Sequence, residues 1–358
     1  MKRRIISLLV LCALLPALCA CGGGAVSSQP PRRSMVDPSG ASVSIPENIG
    51  SIVVLAPSIA ETVAALGLGD KIIGYDLNSV GLAGLPENVP TFDTVNPDVE
   101  RLAALAPDVL FVSSLSLYDQ EAPYQPLINA GVCVICVPTS ESIDGVKSDI
   151  QFLAAALGVP EAGQVLLDEL NAELDVLAAI AAAIPTGERK SVYFEISAAP
   201  WMYSTGSGTY LDEMITLIGG VNVLAGEAGW LSVEGETIVA ADPDVIFTNV
   251  NYLDDPVAEI LGRDGWAGVT AVVNRDVHYI DNMASALPNQ NIVVALRQMA
   301  EALYPDYLPP NENFRENDIA AGGGAAGPAA GGGHRQRVRV PGGHPGHPRE
   351  PPVRHALS

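Results

Sequence analysis

Residues 142–184 read SIDGVKSDIQFLAAALGVPEAGQVLLDELNAELDVLAAIAAAI, and this stretch decides the fold. Val146, Ile150, Leu153 and Leu157 recur at spacings of four, three and four, the apolar stripe of an α-helix. Gly158-Val159-Pro160 interrupts it, and Pro160 suits the first position of a second helix. In that helix Leu167, Leu170, Leu174, Leu177, Ala181 and Ile184 again alternate threes and fours. At ~1.5 Å per residue, some 24 residues give a rod of ~36 Å, longer than a small lobe is wide. A coiled coil is the alternative, but a lone helix without charged flanking positions makes a poor one. The pattern describes a spacer fixed to whatever lies on either side.

On either side lies the same unit twice. Glu100 is followed seven residues later by Pro107-Asp108-Val109-Leu110-Phe111, and Glu236 seven residues later by Pro243-Asp244-Val245-Ile246-Phe247. Each unit opens with a strand-like run, at Ser51-Ile52-Val53-Val54-Leu55 and at Ser191-Val192-Tyr193-Phe194-Glu195-Ile196. Each run leads through a loop into an apolar helix ending in glycine, at Gly67 and at Gly219-Gly220. The interval from opening serine to glutamate is 49 residues in one unit and 45 in the other. The expected fold is α/β: two related α/β lobes with central sheets, joined by a long backbone helix, with a ligand cleft between the lobes.

The domain boundaries follow. Lys2, Arg3 and Arg4 precede an apolar run too short for a comfortable membrane span, so residues 1–21 read as a signal peptide. The run ends Leu18-Cys19-Ala20-Cys21, which resembles a bacterial lipobox with Cys21 as the lipidated residue; a plain secretory signal is the alternative. Residues 22–48 are expected as a flexible tether, on the Gly/Ser/Pro content of residues 22–31. The N-terminal lobe then occupies 49–141, the bridging helices 142–187 and the C-terminal lobe 188–308. Beyond Leu308 the composition turns to Gly, Ala, Pro and Arg, with His334, His344, His347 and His355. Residues 309–358 read as a disordered tail, with metal binding by its histidines the alternative.

Charge narrows the partners. The whole chain carries a formal −22, and residues 22–310 hold 37 Asp or Glu against 10 Lys or Arg. Nucleic acid and a direct hold on anionic membrane are both disfavoured, leaving the lipid anchor as the membrane contact. After Cys21 the remaining cysteines are Cys133 and Cys136. Their CxxC spacing suggests a redox pair, but the β-branched run 131–137 reads as a buried strand. There residues i and i+3 face opposite ways, ~10 Å apart, so both cysteines are expected in the core.

In parallel α/β sheets ligands gather beyond the carboxyl ends of the strands. Pro57 and Ser58 follow the first strand, and a loop running to Tyr118 follows Leu110-Phe111-Val112. In the second lobe Trp201 and Tyr203 lie in the 197–209 loop, Trp230 in a Gly-Trp-Leu-Ser loop, and Asn251 and Tyr252 after the strand ending near Thr248. These eight residues are the candidate ligand contacts. Asn96 and Ser232 are read as helix caps four residues before Glu100 and Glu236.

At this point the chain resembles a known family, the ABC-importer substrate-binding proteins for cobalamin, iron-siderophores and haem. The resemblance covers about residues 51–306. It rests on Val54-Leu55-Ala56-Pro57-Ser58, Ala64-Ala65-Leu66-Gly67-Leu68-Gly69, Leu105-Ala106-Pro107-Asp108 and Gly206-Ser207-Gly208-Thr209-Tyr210-Leu211-Asp212-Glu213. Gly219-Gly220-Val221-Asn222 and Ala240-Ala241-Asp242-Pro243-Asp244 add to it. The resemblance implies a ligand held between the lobes and a stiff helix limiting hinge motion. It also implies Glu100 and Glu236 as salt-bridge partners of arginines on an ABC permease dimer, which works with its ATPase subunits. The protein is then a lipid-anchored monomer on the extracytoplasmic face, and not an enzyme.

One departure bears on the ligand. Where many relatives place an arginine, this chain reads Ser285-Ala286-Leu287-Pro288-Asn289. A strongly anionic ferric catecholate would lack partners to offset its desolvation. Haem has tyrosines available as axial ligands. A bare zinc or manganese ion is disfavoured, because His278 is the one histidine in the lobes and falls in a strand pattern. A near-neutral cobalt corrinoid fits best, with a ferric siderophore next; no resident cofactor or metal is expected. An enzyme is the competing class, but no Walker A loop or G-x-S-x-G elbow occurs, and Gly67-Leu68-Gly69 lacks the third glycine of a dinucleotide loop. An adhesion lipoprotein is the other alternative.

Overall fold

The computed structural model describes residues 31–117 and 123–308. The leader with Cys21, the segment holding Tyr118 and the tail lie outside the described residues.

The chain enters as a β-hairpin, β1 (Arg32–Val36) against β2 (Ser42–Pro46). This corrects the expected tether, whose second half is ordered structure. Its turn is built by Asp37, whose Oδ1 accepts from Ser39 N and Ala41 N, with Gly40 at φ +89. Ile45, fully buried, and Val43 alternate inward, so the hairpin is held by the lobe core. The other carboxylate oxygen of Asp37 accepts from Cys136 N at 3.1 Å, and Arg32 donates to Gly131 O at 2.6 Å.

In the N-terminal lobe β3 (Ile52–Val54) leads into α1 (Pro57–Val63), whose last turn widens through Gly67 at φ +79. β4 (Ile72–Asp76), β5 (Thr91–Phe92), α2 (Val99–Leu105), β6 (Val109–Val112), α3 (Gln125–Asn129) and β7 (Cys133–Cys136) follow. The strands form a parallel sheet in the order β5-β4-β3-β6-β7. Cys133 faces one apolar cluster and Cys136 the other, on opposite faces of the sheet, and both are free thiols. Burial pushes the Cys133 thiol up to about 11, so it is an inert core residue.

The bridge is α4 (Ile143–Leu157) and the 24-residue α5 (Pro160–Ala183), as the periodicity requires. Gly163 lets them touch: a Cβ there would meet that of Ala154 at 2.3 Å. Leu166, Leu170, Leu174 and Leu177 are buried along one face of α5.

The C-terminal lobe comprises β8 (Ser191–Glu195), β9 (Tyr203–Thr205), α6 (Tyr210–Leu217), β10 (Val221–Asn222), β11 (Trp230–Ser232), α7 (Gly235–Ala241) and β12 (Val245–Thr248). It closes with α8 (Pro256–Leu261), α9 (Thr270–Asn274), β13 (Val277–Tyr279), α10 (Asn282–Ala286) and α11 (Ile292–Leu303). Its parallel sheet runs β10-β8-β12-β13, while β9 and β11 pair separately as an antiparallel ribbon. One apolar core includes residues of both sheets, of α4, α5 and α11, and of the entry hairpin. Two smaller clusters cover the outer faces of the sheets.

The internal repeat is visible atom by atom. Ser51 N and Oγ both donate to Asp108 Oδ2, and Asp108 N donates back to Ser51 Oγ at 3.0 Å. Ser191 N and Oγ donate to Asp244 Oδ2, and Asp244 N returns a bond to Ser191 Oγ at 2.9 Å. Each clasp ties the start of one central strand to the start of its neighbour. Each is preceded by a left-handed residue closing a helix, Ala106 and Asp242, both at φ 47.

Candidate functional site

The carboxyl ends of the parallel strands in both lobes carry the loops where a ligand cleft is expected. On the N-terminal side Pro57 and Ser58 open α1 directly after β3, both half-buried. Ser58, Thr62, Ser113, Ser140 and Asp149 line a crevice of about 20 Å³ closed from the other lobe by Pro288. That volume admits no more than a water.

On the C-terminal side β8 and β12 are paired neighbours, with Glu195 opposite Thr248, so the loops after them emerge side by side. The 197–203 loop is pinched shut by hydrogen bonds between Ser197 and Tyr203. Trp201 stands at its tip, 84% exposed. Tyr252, 62% exposed, is fixed by its hydroxyl, which accepts from Ala198 N at 2.8 Å and shares a hydrogen bond with Ser197 Oγ at 3.1 Å. Tyr203 is partly exposed at the start of β9, and Asn251 Nδ2 donates to Asn282 Oδ1 at 2.9 Å. The structure therefore brings Trp201, Tyr203, Asn251 and Tyr252 to one end of one lobe, with two aromatic rings presented to solvent. Both rings offer apolar surface to solvent, and of the two the Tyr252 phenol is anchored through its hydroxyl.

Trp230 is placed differently from its expected loop. It begins β11, packs on the Tyr210 ring at 5.4 Å between centroids and donates its indole N–H to Glu141 Oε2 at 3.1 Å. The β9–β11 ribbon turns it toward Glu141, the last residue of the N-terminal lobe, so its indole joins the two lobes.

At the end of β8 lies a charge cluster that sequence reading missed. Glu195, the last residue of β8, is fully buried and receives both Arg263 Nη1 at 2.6 Å and Nη2 at 2.9 Å. Arg263 also donates from Nε to Glu259 Oε1 and lies 4.4 Å over the Trp266 ring. Burial raises the Glu195 carboxyl above the ordinary range, and the Arg263 bonds oppose this. With its charge spent inward, this arginine holds the base of the aromatic loop rather than facing ligand.

The lobes also meet through amides. Asn289 Nδ2 donates to Glu61 Oε2 at 2.6 Å, and Thr62 Oγ1 donates to Gln290 Oε1 at 2.9 Å. Asn289 thus stands in the segment where an arginine is absent, engaged by a carboxylate from the opposite lobe. Burial raises the Glu61 carboxyl, and hydrogen bonds from Asn289 and Asn291 offset part of that rise. The loops at 55–58, 77–90, 93–97, 113–117, 137–142, 196–203, 249–255 and 280–291 contain no Lys or Arg. Among the described residues no group of three or more His, Cys, Asp or Glu is placed to hold a metal ion.

Glu100 and Glu236 occupy equivalent positions, the second residue of the seven-residue helices α2 and α7, and both are exposed. Their caps are not Asn96 and Ser232. Asp98 accepts from Arg101 N at 2.9 Å and starts α2, and Glu234 precedes α7 without a side-chain cap. Because each helix runs back to the start of the next strand, its first turn lies at the cleft end of its lobe.

Comparison with known proteins gives one family model, described as periplasmic binding protein, matching residues 52–284. An uncharacterized ABC transporter substrate-binding lipoprotein of Bacillus subtilis is 29% identical over 317 residues, covering 86% of this chain and 99% of its own. A cobalamin-binding protein of Halobacterium salinarum is 25% identical over 326 residues, covering 85% and 86%. The solved structure of the molybdate-bound molybdate-binding protein of Haemophilus influenzae superposes with a TM-score of 0.66 at 24% identity, over 77% of this chain and 92% of its own.

Proposed function

Since the chain belongs to the periplasmic binding protein family, we propose that it is the extracytoplasmic substrate receptor of an ABC importer and that its cargo is a near-neutral corrinoid. The observation that carries the ligand reading is the exposure of the Trp201 and Tyr252 rings on strand-end loops free of cationic side chains. A small oxyanion such as molybdate offers no face to stack and demands charged or convergent N–H donors. A corrinoid offers a broad apolar surface fringed by carboxamides, which suit the aromatic rings and the amides of Asn251 and Asn282. A ferric hydroxamate is the next candidate of similar charge. Cys21 is the lipid attachment point, and the monomer is held at the outer face of the cell membrane by that anchor.

Glu100 and Glu236 are the contacts to the two permease subunits. Among the described residues neither forms a hydrogen bond or ion pair, so both carboxylates are available to a partner. Their identical helix positions at the cleft end of each lobe support this role, since matched rim charges set encounter rate and register. Ligand and docking are tested separately. Spectral titration with cobalamin, a ferric hydroxamate and haem should show tight binding for cobalamin; tight hydroxamate binding without a cobalamin response gives the site to a siderophore. The double variant Glu100→Lys, Glu236→Lys should keep ligand affinity and melting temperature while losing uptake. Uptake at the normal rate would remove the docking assignment.

A further inference from the structure

The two loops that carry the exposed rings of Trp201 and Tyr252 are joined into one closed circuit of contacts. The 197–203 loop leaves β8 just after Glu195. The 249–255 loop leaves β12 and runs directly into α8, which Asp255 caps by accepting from Ala258 N at 2.8 Å. At their roots the loops meet where Asn249 N donates to Glu195 O at 3.2 Å. Farther out they meet where Ala198 N donates to the Tyr252 hydroxyl. The last side of the circuit is Arg263, two residues past the end of α8. It reaches back to Glu259 on that helix and across to Glu195 at the root of the other loop.

The chemistry of this side is directional. A guanidinium presents a planar fork, and here two of its nitrogens meet the two oxygens of one fully buried carboxylate, which fixes orientation as well as distance. Nε is engaged by Glu259, and the plane lies against the Trp266 ring. Met202, the neighbour of Trp201 in sequence, is buried in the same apolar cluster as Trp266, with its sulfur 3.8 Å from Arg263 Nη1. The 197–203 loop is thus sunk at Met202 and exposed at Trp201, over a cluster whose only cation is Arg263.

We propose that Arg263 is a positioning residue for ligand capture: by tying Glu195 to α8 it holds the Trp201 and Tyr252 loops in one relative placement before ligand arrives. It touches no ligand itself. The proposal rests on the reading of those two rings as ligand contacts. Loops fixed in advance lose less freedom on binding, so the effect is read in affinity.

Two variants test it. Arg263→Lys keeps a positive charge but loses the fork. Glu259→Ala cuts the tie to α8 at a side chain 34% exposed, where truncation leaves the Glu195–Arg263 pair intact. In ligand-free protein, amide hydrogen exchange over residues 196–203 should be several-fold faster in both variants, while exchange in β6 stays at the parent rate. Affinity is then measured in a cycle with Trp201→Ala, using whichever of cobalamin, a ferric hydroxamate or haem the parent binds. Trp201→Ala should weaken binding about tenfold in the parent but only about threefold or less with Arg263→Lys, because the ring is no longer held in place. If Arg263→Lys fails to fold by circular dichroism, the same cycle on Glu259→Ala decides. Equal losses in both backgrounds, or unchanged exchange over 196–203, overturn the proposal and leave the ligand reading standing. A parent protein that binds none of the three removes the ligand reading, and the proposal with it.

Discussion

Leu170 lies near the middle of α5, 3% exposed, in the apolar core that includes residues of both lobes. Leu170→Ala removes its buried branch and leaves a cavity that rigid helices on either side cannot collapse, for a loss of ~3 kcal/mol within the ~2–5 kcal/mol range of such truncations. Unfolding roughly 280 residues carries an entropy near 0.6 kcal/mol/K at ~2.1 cal/mol/K per residue, so the melting temperature should fall by ~5 °C. The lobes carry separate reporters. Trp201, Trp230 and Trp266 all belong to the C-terminal lobe, while the buried thiols of Cys133 and Cys136 belong to the N-terminal lobe. Tryptophan emission and thiol reactivity, followed against temperature, should give one shared midpoint in the parent protein and one shared, lowered midpoint in the variant. If the thiols become reactive well below the emission transition, or if the substitution moves one probe alone, the lobes are not welded by α5 and the reasoning fails.

Two further outcomes follow from the cleft. Trp201→Ala should weaken cobalamin binding about tenfold or more, ~1.5 kcal/mol, while barely moving the melting temperature, because the indole is already in solvent; an unchanged affinity would take the ring out of the site. Glu61 is raised above its unfolded value chiefly by burial, so its favourable linkage is complete below about pH 4.5 and is lost as pH rises through the folded value. Glu61→Gln, which keeps an acceptor for Asn289, should therefore melt higher than the parent at pH 7, with the gap narrowing as pH falls toward 5; a gap that widens on acidification would contradict the burial argument.

Local periodicity made α4 and α5 legible, down to Pro160 at the second helix start, because an apolar stripe states both period and length. The lobe repeat was legible because Pro-Asp-Val returned at a fixed distance from a glutamate, and the Asp of that triplet proved to be the clasp. The hairpin was missed although Asp37-Pro38-Ser39-Gly40 is a turn signal and Val43 and Ile45 alternate. The Gly/Ser-rich composition of residues 22–31 was extended too far along the chain. The position of Trp230 had no local signal, since its partner Glu141 lies 89 residues away. Nor did the Glu61–Asn289 contact, which joins residues 228 apart. The caps were displaced by two residues because Asn96-Pro97 imitates a helix start that Asp98 supplies.

The two lobes also show where a duplicated unit is free to diverge. Each Ser–Asp clasp sits at the strand starts, where it satisfies part-buried backbone groups and ties the central pair together, so a change there costs folding in either lobe. The strand ends carry no such shared obligation, and their loops have parted company. The N-terminal lobe exposes Leu77, Val80 and Leu115 there, and the C-terminal lobe Trp201, Tyr203 and Tyr252. A repeated scaffold thus carries unlike exposed side chains at its strand ends, aliphatic in one lobe and aromatic in the other. Ligand specificity can change by exchanging those side chains without disturbing the frame that keeps Glu100 and Glu236 in matching positions.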